Sequence, residues 1–384
     1  MDFTFTEEQN LLRESIAKVM ENEITIDYVR ECDEAGEYPY KFYDKAVELG
    51  WLGLAFPEEY GGVGGSAIDL VILAEEISRY AYDLAVAIGM TMFNGLSLVH
   101  HGTPEQKDYY IPKAINGEIR FSISITEPGA GSDAASLKTE AVKKGDQYVI
   151  NGQKVFSSGA HAKNNVIKLF ARTDKTAEKK HRGITAFLVP ADTTGITIRR
   201  IKTLGRHIIG TNEVFFDEVE IPEKNILGGL NNGWKVMMSS LELERIYGAA
   251  AYVGNCAAIL SLALQYAKER VQFGKPIGDN QAIAHMLADM ATELDAGRFL
   301  IYRAAWNISQ GISSFKEVSM AKHFNSLMFT RHAAMGMQIM GGYGYCMEYD
   351  MQRYFRDSRV TTIIAGTSQV QRNIIARAMG LNVR

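Results

Sequence analysis

Tyr148-Val149-Ile150, Val166-Ile167-Lys168-Leu169-Phe170, Ile184-Thr185-Ala186-Phe187-Leu188-Val189, Ile196-Thr197-Ile198 and Val214-Phe215-Phe216 are short β-branched and aromatic runs. Gly, Asn and Asp turns separate them, which is the pattern of strands. They define a β-rich stretch that begins near Phe121. The chain on either side reads differently. Thr6-Glu7-Glu8-Gln9 is a capping-box pattern opening the series Leu11, Leu12, Ile16, Val19, Met20 at helical spacing, and Thr103-Pro104-Glu105-Gln106 is a second helix start. Between them Gly61-Gly62-Val63-Gly64-Gly65 marks a loop that turns sharply or lets something approach the backbone, before a helical run from Ile68 through Ile77. After Gly233 turn residues thin out, and helical patterns cover roughly 234–270, 279–310 and 313–340, with a short helix from about 368. Long antiparallel helices with short joints make a bundle. The expected fold is mainly α with a β middle domain: residues 1–118 a helical N-terminal domain, 119–229 the β domain, 230–384 a helical bundle.

Composition excludes several classes. The 384 residues hold 41 Lys+Arg against 45 Asp+Glu, are 46% hydrophobic, and include 8 Pro and 3 Cys. Disorder, collagen and disulfide scaffolds do not fit. A net charge of −4 offers no footprint for nucleic acid. Cys32, Cys256 and Cys346 lack metal-ligand spacing and read as thiols in a reducing compartment, and no metal is expected. The acidic start Met1-Asp2-Phe3-Thr4-Phe5-Thr6-Glu7-Glu8 lacks the basic residues of a signal or transit peptide, so a cytoplasmic location is expected. Ile246 to Ala267 runs without a charge for a bilayer's thickness, but its Asn255, Gln265, glycines and alanines suit a helix buried in a large bundle.

Several segments have the residue types for chemistry. Thr126-Glu127-Pro128-Gly129-Ala130-Gly131-Ser132-Asp133 is a loop suited to an anion or a polar ring, or simply a hairpin turn. Its formal GxGxxG/A match fails as a dinucleotide fingerprint, because Pro128 stands close before it and Ser136-Leu137-Lys138-Thr139 reads as strand. In Ser239-Ser240-Leu241-Glu242-Leu243-Glu244-Arg245, steps of three and four join Met237, Leu241, Glu244, Gly248 and Ala251 into one stripe. An acid thus interrupts an apolar face. Glu242 lies about 200° around the helix, so the two carboxylates are not a pair. Glu244 is either salt-bridged at the bundle rim or a carboxylate of raised proton affinity, which suits a general base.

Taken in order, these segments resemble the acyl-CoA dehydrogenase family over essentially the whole chain. The resemblance rests on Pro57-Glu58-Glu59-Tyr60-Gly61-Gly62, the 126–133 loop, Asn151-Gly152-Gln153-Lys154, Arg270-Val271-Gln272-Phe273-Gly274-Lys275, Gln338-Ile339-Met340-Gly341-Gly342-Tyr343-Gly344-Tyr345, Arg356-Asp357-Ser358-Arg359 and Ala365-Gly366-Thr367-Ser368-Gln369-Val370-Gln371-Arg372. It implies a β-barrel-like middle domain, a C-terminal four-helix bundle, and a homotetramer holding FAD between subunits. By position, Thr126 and Ser132 would bond the flavin, Phe156 would cover one ring face, and Ser158 would bond its edge. Arg270, Gln272 and Phe273 would meet the pyrophosphate and adenine side, with Gln281, Gln338, Gly342, Thr367 and Gln369 completing the cofactor site, several of them from a neighbouring subunit.

The resemblance also implies the chemistry. Hydride leaves the β-carbon of an acyl-CoA thioester for the flavin while a carboxylate takes the α-proton, and electrons pass to electron transfer flavoprotein. Many members carry that base immediately before Gly-Thr, where this chain has Ala365. In the isovaleryl and long-chain branches it sits on the first bundle helix, at the position matched by Glu244. Ala365 N–H would then bond the thioester oxygen, and Ser132, Arg245, Phe93, Tyr247 and Gly366 would lie along the substrate. The small Ala365 suggests a branched or cyclic acyl group. Two other readings stand beside this one: an enoyl-CoA reductase running the same chemistry in reverse, and a noncatalytic FAD and acyl-CoA binding protein.

Overall fold

The computed structural model describes residues 4–239 and 241–383. Met1, Asp2, Phe3, Ser240 and Arg384 lie outside the described residues, and with them part of the acidic start and of the Ser239-Ser240 pair. Local signals fix the first helices. Thr6 and Gln9 close a reciprocal capping box on α1 (Glu7–Asn22), Ser66 and Asp69 do so on α4 (Ala67–Ser78), and Thr103 and Gln106 on α6 (Pro104–Ile115). Each box satisfies backbone donors that a helix start otherwise leaves bare. Between them lie α2 (Ile26–Ala35), α3 (Tyr40–Glu48) and α5 (Tyr82–His101). Of the α1 series, Ile16 and Met20 are buried while Leu11 faces solvent. The glycine-rich loop before α4 both turns and packs closely: Gly61 and Gly64 have φ of 85° and 65°. A side chain at Gly62 would lie 2.1 Å from the Phe56 carbonyl oxygen.

Eight strands follow: β1 (Arg120–Ser124), β2 (Glu140–Lys144), β3 (Gln147–Ser158), β4 (Asn165–Arg172), β5 (Ile184–Pro190), β6 (Ile196–Ile201), β7 (Thr211–Pro222) and β8 (Ile226–Leu227). They form one sheet in the order β6-β7-β3-β2-β4-β5-β8, with β1 parallel to β4. Alternation along β4 divides its side chains between two cores. Ile167, Leu169 and Ala171 join Phe187 and Val189 inside the sheet, while Val166 and Phe170 face Leu98, Val236 and Met237 of the helices. The expected strand at Ser136–Thr139 is not formed. Ala134–Ser136 is a single 3-10 turn, and the backbone N–H groups of Lys138 and Thr139 donate to the Glu127 carboxylate at 2.6 and 2.8 Å rather than to a strand.

The remainder is helical: α7 (Gly233–Ser239), α8 (Leu241–Glu269), a hairpin of β9 (Val271–Gln272) and β10 (Lys275–Pro276), then α9 (Gln281–Ser309), α10 (Phe315–Met340), α11 (Gly342–Tyr345), α12 (Met351–Ser358) and α13 (Ser368–Ala378). Two stretches, Tyr82–His101 and Gly233–Glu269, are long and apolar enough to cross a membrane, and both lie mostly buried within the protein. α8 is buried because α4, α5, α9 and α10 pack round it, which explains why it is apolar on nearly all sides. Its tightest approach is at Gly254, where an added Cβ would stand 2.1 Å from the Glu75 carbonyl oxygen of α4. The Glu75 carboxylate is held at the same crossing by Arg298 Nε and the Tyr302 hydroxyl, each at 2.8 Å.

One buried ionic knot ties all three parts. Arg206, in the β6–β7 connection, donates from Nε to Asp83 of α5 at 2.9 Å, and its backbone N–H donates to Asp357 of α12 at 2.6 Å. Ile209 N–H donates to the other Asp83 oxygen at 3.1 Å. Gly254→Ala, which forces α4 and α8 apart, is expected to lower stability by roughly 1–3 kcal/mol; thermal or denaturant unfolding measures it, and an unchanged midpoint would contradict the close crossing.

Candidate active site

The start of α8 separates its two acids as the helical geometry requires. Glu242 accepts the Ser314 N–H at 2.7 Å, ahead of α10. Glu244 turns the other way and makes no hydrogen bond or ion pair among the described residues, so it is not a rim salt bridge. Burial raises its proton affinity, with the charges of Lys168 and Arg245 opposing that rise. Glu244 is nonetheless half-buried rather than sealed. Tyr247, one turn further, is buried, donates to Ala85 O at 3.0 Å, and packs edge-on against Phe93 at 5.0 Å. Met237 of the expected stripe belongs to α7.

Arg245 joins this helix start to a second segment. Its Nε donates to Ala365 O at 3.3 Å. Ala365 has φ 52°, in the left-handed region that a side chain normally avoids, and Gly366 follows at 83°. The strained turn is held from three sides. Gln371 Nε2 donates to the Ala365 and Gly366 carbonyls at 3.0 and 3.1 Å, and Lys322 Nζ donates to those of Thr361 and Gly366 at 3.0 and 2.8 Å. Thr367 then caps α13, accepting from Val370 N–H at 3.2 Å. The Ala365 N–H has no acceptor among the described residues. A fixed, free donor therefore stands beside the segment that carries the unpaired carboxylate. Gln369 lies exposed on α13.

A third segment comes from the sheet. Glu127 and Ala130 exchange backbone hydrogen bonds that close the 126–133 loop, and the Glu127 carboxylate also receives Lys154 Nζ at 2.8 Å. Lys154 is wholly buried, and burial pushes its ammonium down to about 8 despite that partner. The two motifs at 126–133 and 151–154 are thus halves of one ion pair. Val155 N–H donates to Thr126 O at 2.9 Å, which seats the loop against β3. Just beyond, the β3–β7 register slips between Lys154 and Ser157. This bulge gives Phe156 a φ of 62° and leaves its ring 62% exposed. In the 126–133 loop the Thr126 and Ser132 hydroxyls make no hydrogen bond among the described residues, while Ser158 Oγ, at the end of β3, accepts from Arg206 Nη1 at 3.4 Å.

The remaining expected cofactor residues gather elsewhere. Arg270, Gln272 and Phe273 form the β9–β10 hairpin at the far end of α8, about 38 Å from Glu244 at 1.5 Å per residue. Phe273 is fully exposed at φ 52°, and the Arg270 guanidinium stands 5.6 Å from the Tyr343 ring, next to Gly342. Gln281 and Gln338 are exposed at the ends of their helices. One chain therefore brings together Glu244, Arg245, Ala365 and Gly366, and separately assembles Arg270 and Gly342 at the other end. Of the two residues that hold the Ala365 turn, Gln371 lay within the 365–372 motif without an assigned role, and Lys322 had no motif signal beyond being a polar residue on an otherwise packed helix.

Family models match the chain three times: acyl-CoA dehydrogenase N-terminal domain at residues 6–118, middle domain at 122–219 and C-terminal domain at 231–380. The chain belongs to the acyl-CoA dehydrogenase family. It is 37% identical to the caffeyl-CoA reductase-Etf complex subunit CarC of Acetobacterium woodii, over 97% of this chain and 98% of that protein. It is 34% identical to the short-chain specific acyl-CoA dehydrogenase of Clostridium acetobutylicum, over 98% and 99%. The butyryl-CoA dehydrogenase structure from Megasphaera elsdenii superposes with a TM-score of 0.94 at 33% identity, over 99% and 100% of the two chains.

Lys322→Met in this dehydrogenase-family chain removes the donor of two carbonyls at the Ala365 turn. It is expected to cost roughly 1–3 kcal/mol of stability and to speed amide hydrogen exchange across residues 361–367. Unchanged exchange there would show that the lysine does not hold the turn.

Proposed function

We propose that the chain catalyses removal of hydrogen from the α and β carbons of an acyl-CoA thioester with Glu244 as the base. The observation that carries this reading is an unpaired, desolvated carboxylate on the helix start that Arg245 ties to the free N–H of Ala365. The family assignment makes the protein an oxidoreductase acting on CH–CH groups, with FAD as its cofactor. The residues fit such a ring: Phe156 offers an exposed aromatic face, and the unpartnered Thr126 and Ser132 hydroxyls, with Ser158, offer polar edges. Bound there, FAD supplies the acceptor for the hydride of the β-carbon.

The protein's own part is positioning and proton transfer. The Ala365 N–H donates to the thioester oxygen, where negative charge grows as the α-proton leaves. One such preorganised donor is worth about 3–4 kcal/mol in comparable oxyanion sites. Lys322, Gln371 and Arg245 keep its backbone in the strained conformation, so the donor needs no rearrangement. Glu244 takes the α-proton, and its raised proton affinity brings it nearer the weak acidity of that carbon. Phe93 and Tyr247 wall the space next to Glu244, and we assign Ser132, Arg245 and Gly366 to the substrate's side of the site. The Arg270, Gln272, Phe273, Gln281, Gln338 and Gly342 cluster is assigned to the cofactor of a second copy in a homotetramer, an assembly supported by the exposure of Val271, Phe273 and Tyr343 on that part of the bundle. Electron transfer flavoprotein is the partner that takes up or delivers the electrons.

The reverse reaction, reduction of an enoyl-CoA, has a specific observation in its favour: a relative of almost equal length is the subunit of a caffeyl-CoA reductase-Etf complex. Protonated Glu244 would then return a proton to the α-carbon. Oxidation needs the carboxylate, so the rate of flavin bleaching by an acyl-CoA is expected to rise with pH and level off above the raised Glu244 value. Glu244→Gln is expected to stay yellow while bleaching slows about 10²–10⁴-fold. Anaerobic mixing with a panel of straight, branched and cyclic acyl-CoAs measures both effects, and wild-type bleaching by the glutamine variant would exclude Glu244 as the base.

A further inference from the structure

We propose that Lys168 is the counter-charge of Glu244: a positioning cation, built into β4, that keeps the base ionised and ready to accept a proton. The proposal rests on the reading of Glu244 given above and extends it to a residue on another part of the fold.

Lys168 stands mid-strand in β4, between Val166 and Phe170, on the face directed at the helices. It is 1% exposed. Its ammonium makes one hydrogen bond, to Ser97 Oγ of α5 at 2.7 Å, stands 6.0 Å from the centre of the Phe170 ring, and makes no ion pair among the described residues. An apolar side chain would suit these surroundings better, since a buried cation with one neutral partner is costly unless another charge compensates it. Burial indeed pushes Lys168 down to about 8, and Glu244 is the one charge that opposes this. The carboxylate is the complementary case: half-buried, raised in proton affinity by desolvation, and without a hydrogen bond or ion pair among the described residues.

A chain of contacts through α5 links the two groups. Ser97 lies one turn beyond Phe93 and donates to its carbonyl at 3.2 Å. Phe93 packs on Tyr247, which lies one turn beyond Glu244. The other groups acting on or felt by Glu244 are Arg245 of its own helix and the phenols of Tyr82 on α5 and Tyr252 on α8. Arg245 is already engaged with Ala365 O and also feels Glu242. Lys322 of α10 acts on Arg245 and not on Glu244. On the other side, Lys168 adds to the charge felt by His101. Lys168 is thus the cation near Glu244 that has no other anionic partner among the described residues.

The test uses the FAD-loaded protein and Lys168→Met, with Ser97→Asp as a second variant that keeps the lysine but gives it its own carboxylate. Anaerobic bleaching by an acyl-CoA that the wild type accepts is followed across pH, and the carboxyl stretch of Glu244, identified by its loss in Glu244→Gln, is titrated by infrared difference spectroscopy. Both midpoints are expected to move up by about one pH unit in either variant, slowing bleaching about tenfold below the midpoint. The unfolding temperature of Lys168→Met is expected to be no lower than that of the wild type. Midpoints that overlay the wild type in the folded variants would overturn the proposal, whatever happens to rate or stability. Should Glu244→Gln bleach normally, the base assignment falls, and the infrared midpoint alone still decides whether Lys168 and Glu244 are coupled. Should Lys168→Met not fold, the Ser97→Asp midpoint decides.

Discussion

The bond on which the arrangement depends is the one between Arg206 and Asp83, with Asp357 closing the knot on the Arg206 backbone. Each residue comes from a different third of the chain. Burying these charges is expensive, and their mutual pairing offsets much of that cost, although Arg206 Nη2 is buried with no partner among the described residues. Desolvation, together with the neighbouring Asp83 and Asp33, drives the Asp357 proton affinity upward, so the pairing is under electrostatic load. In return the knot fixes how the sheet sits against both sets of helices. Arg206 also reaches Ser158, so the end of β3 that offers Phe156 is aligned against α5, which offers Phe93, and against α12.

α8 transmits that alignment to the chemistry. It is gripped by α4 at Gly254 and surrounded for most of its length, which makes it a rigid strut rather than a surface helix. Glu244 occupies one end and the β9–β10 hairpin the other. The carboxylate proposed as the base is therefore as well placed as the helix, and the turn at Ala365 is held beside the helix start by Arg245, Gln371 and Lys322 instead of by its own conformational preference.

Much of this was legible in the residues. Capping boxes at Thr6 and Thr103 marked helix starts because the signal is local, and the strand runs marked the sheet because β-branched residues alternate with turn formers. The opposite headings of Glu242 and Glu244 followed from helical geometry alone. The resemblance named Ala365 and Glu244, although it could not show that the N–H of the first is free and the second unpaired. Other features depend on partners distant in sequence. Glu127 and Lys154 lay in two separate motifs, and nothing local says that one carboxylate serves Lys138, Thr139 and Lys154 together. That long-range demand is also why Ser136–Thr139 fails to become a strand. The slip that turns Phe156 outward is a property of two strands, not of one. Lys168 sits in a run that reads simply as strand, and its interest appears only when α5 and α8 close over it.

Ala365 has a further consequence for how such a site can change. Its backbone conformation is imposed from outside, by three side chains that touch only carbonyl oxygens, so the identity of the side chain at that position is largely decoupled from the shape of the turn. Ala365 is exposed and projects from the segment that Arg245 fastens to the start of α8. Other side chains could therefore stand at that position while the scaffold that shapes the turn stays as it is.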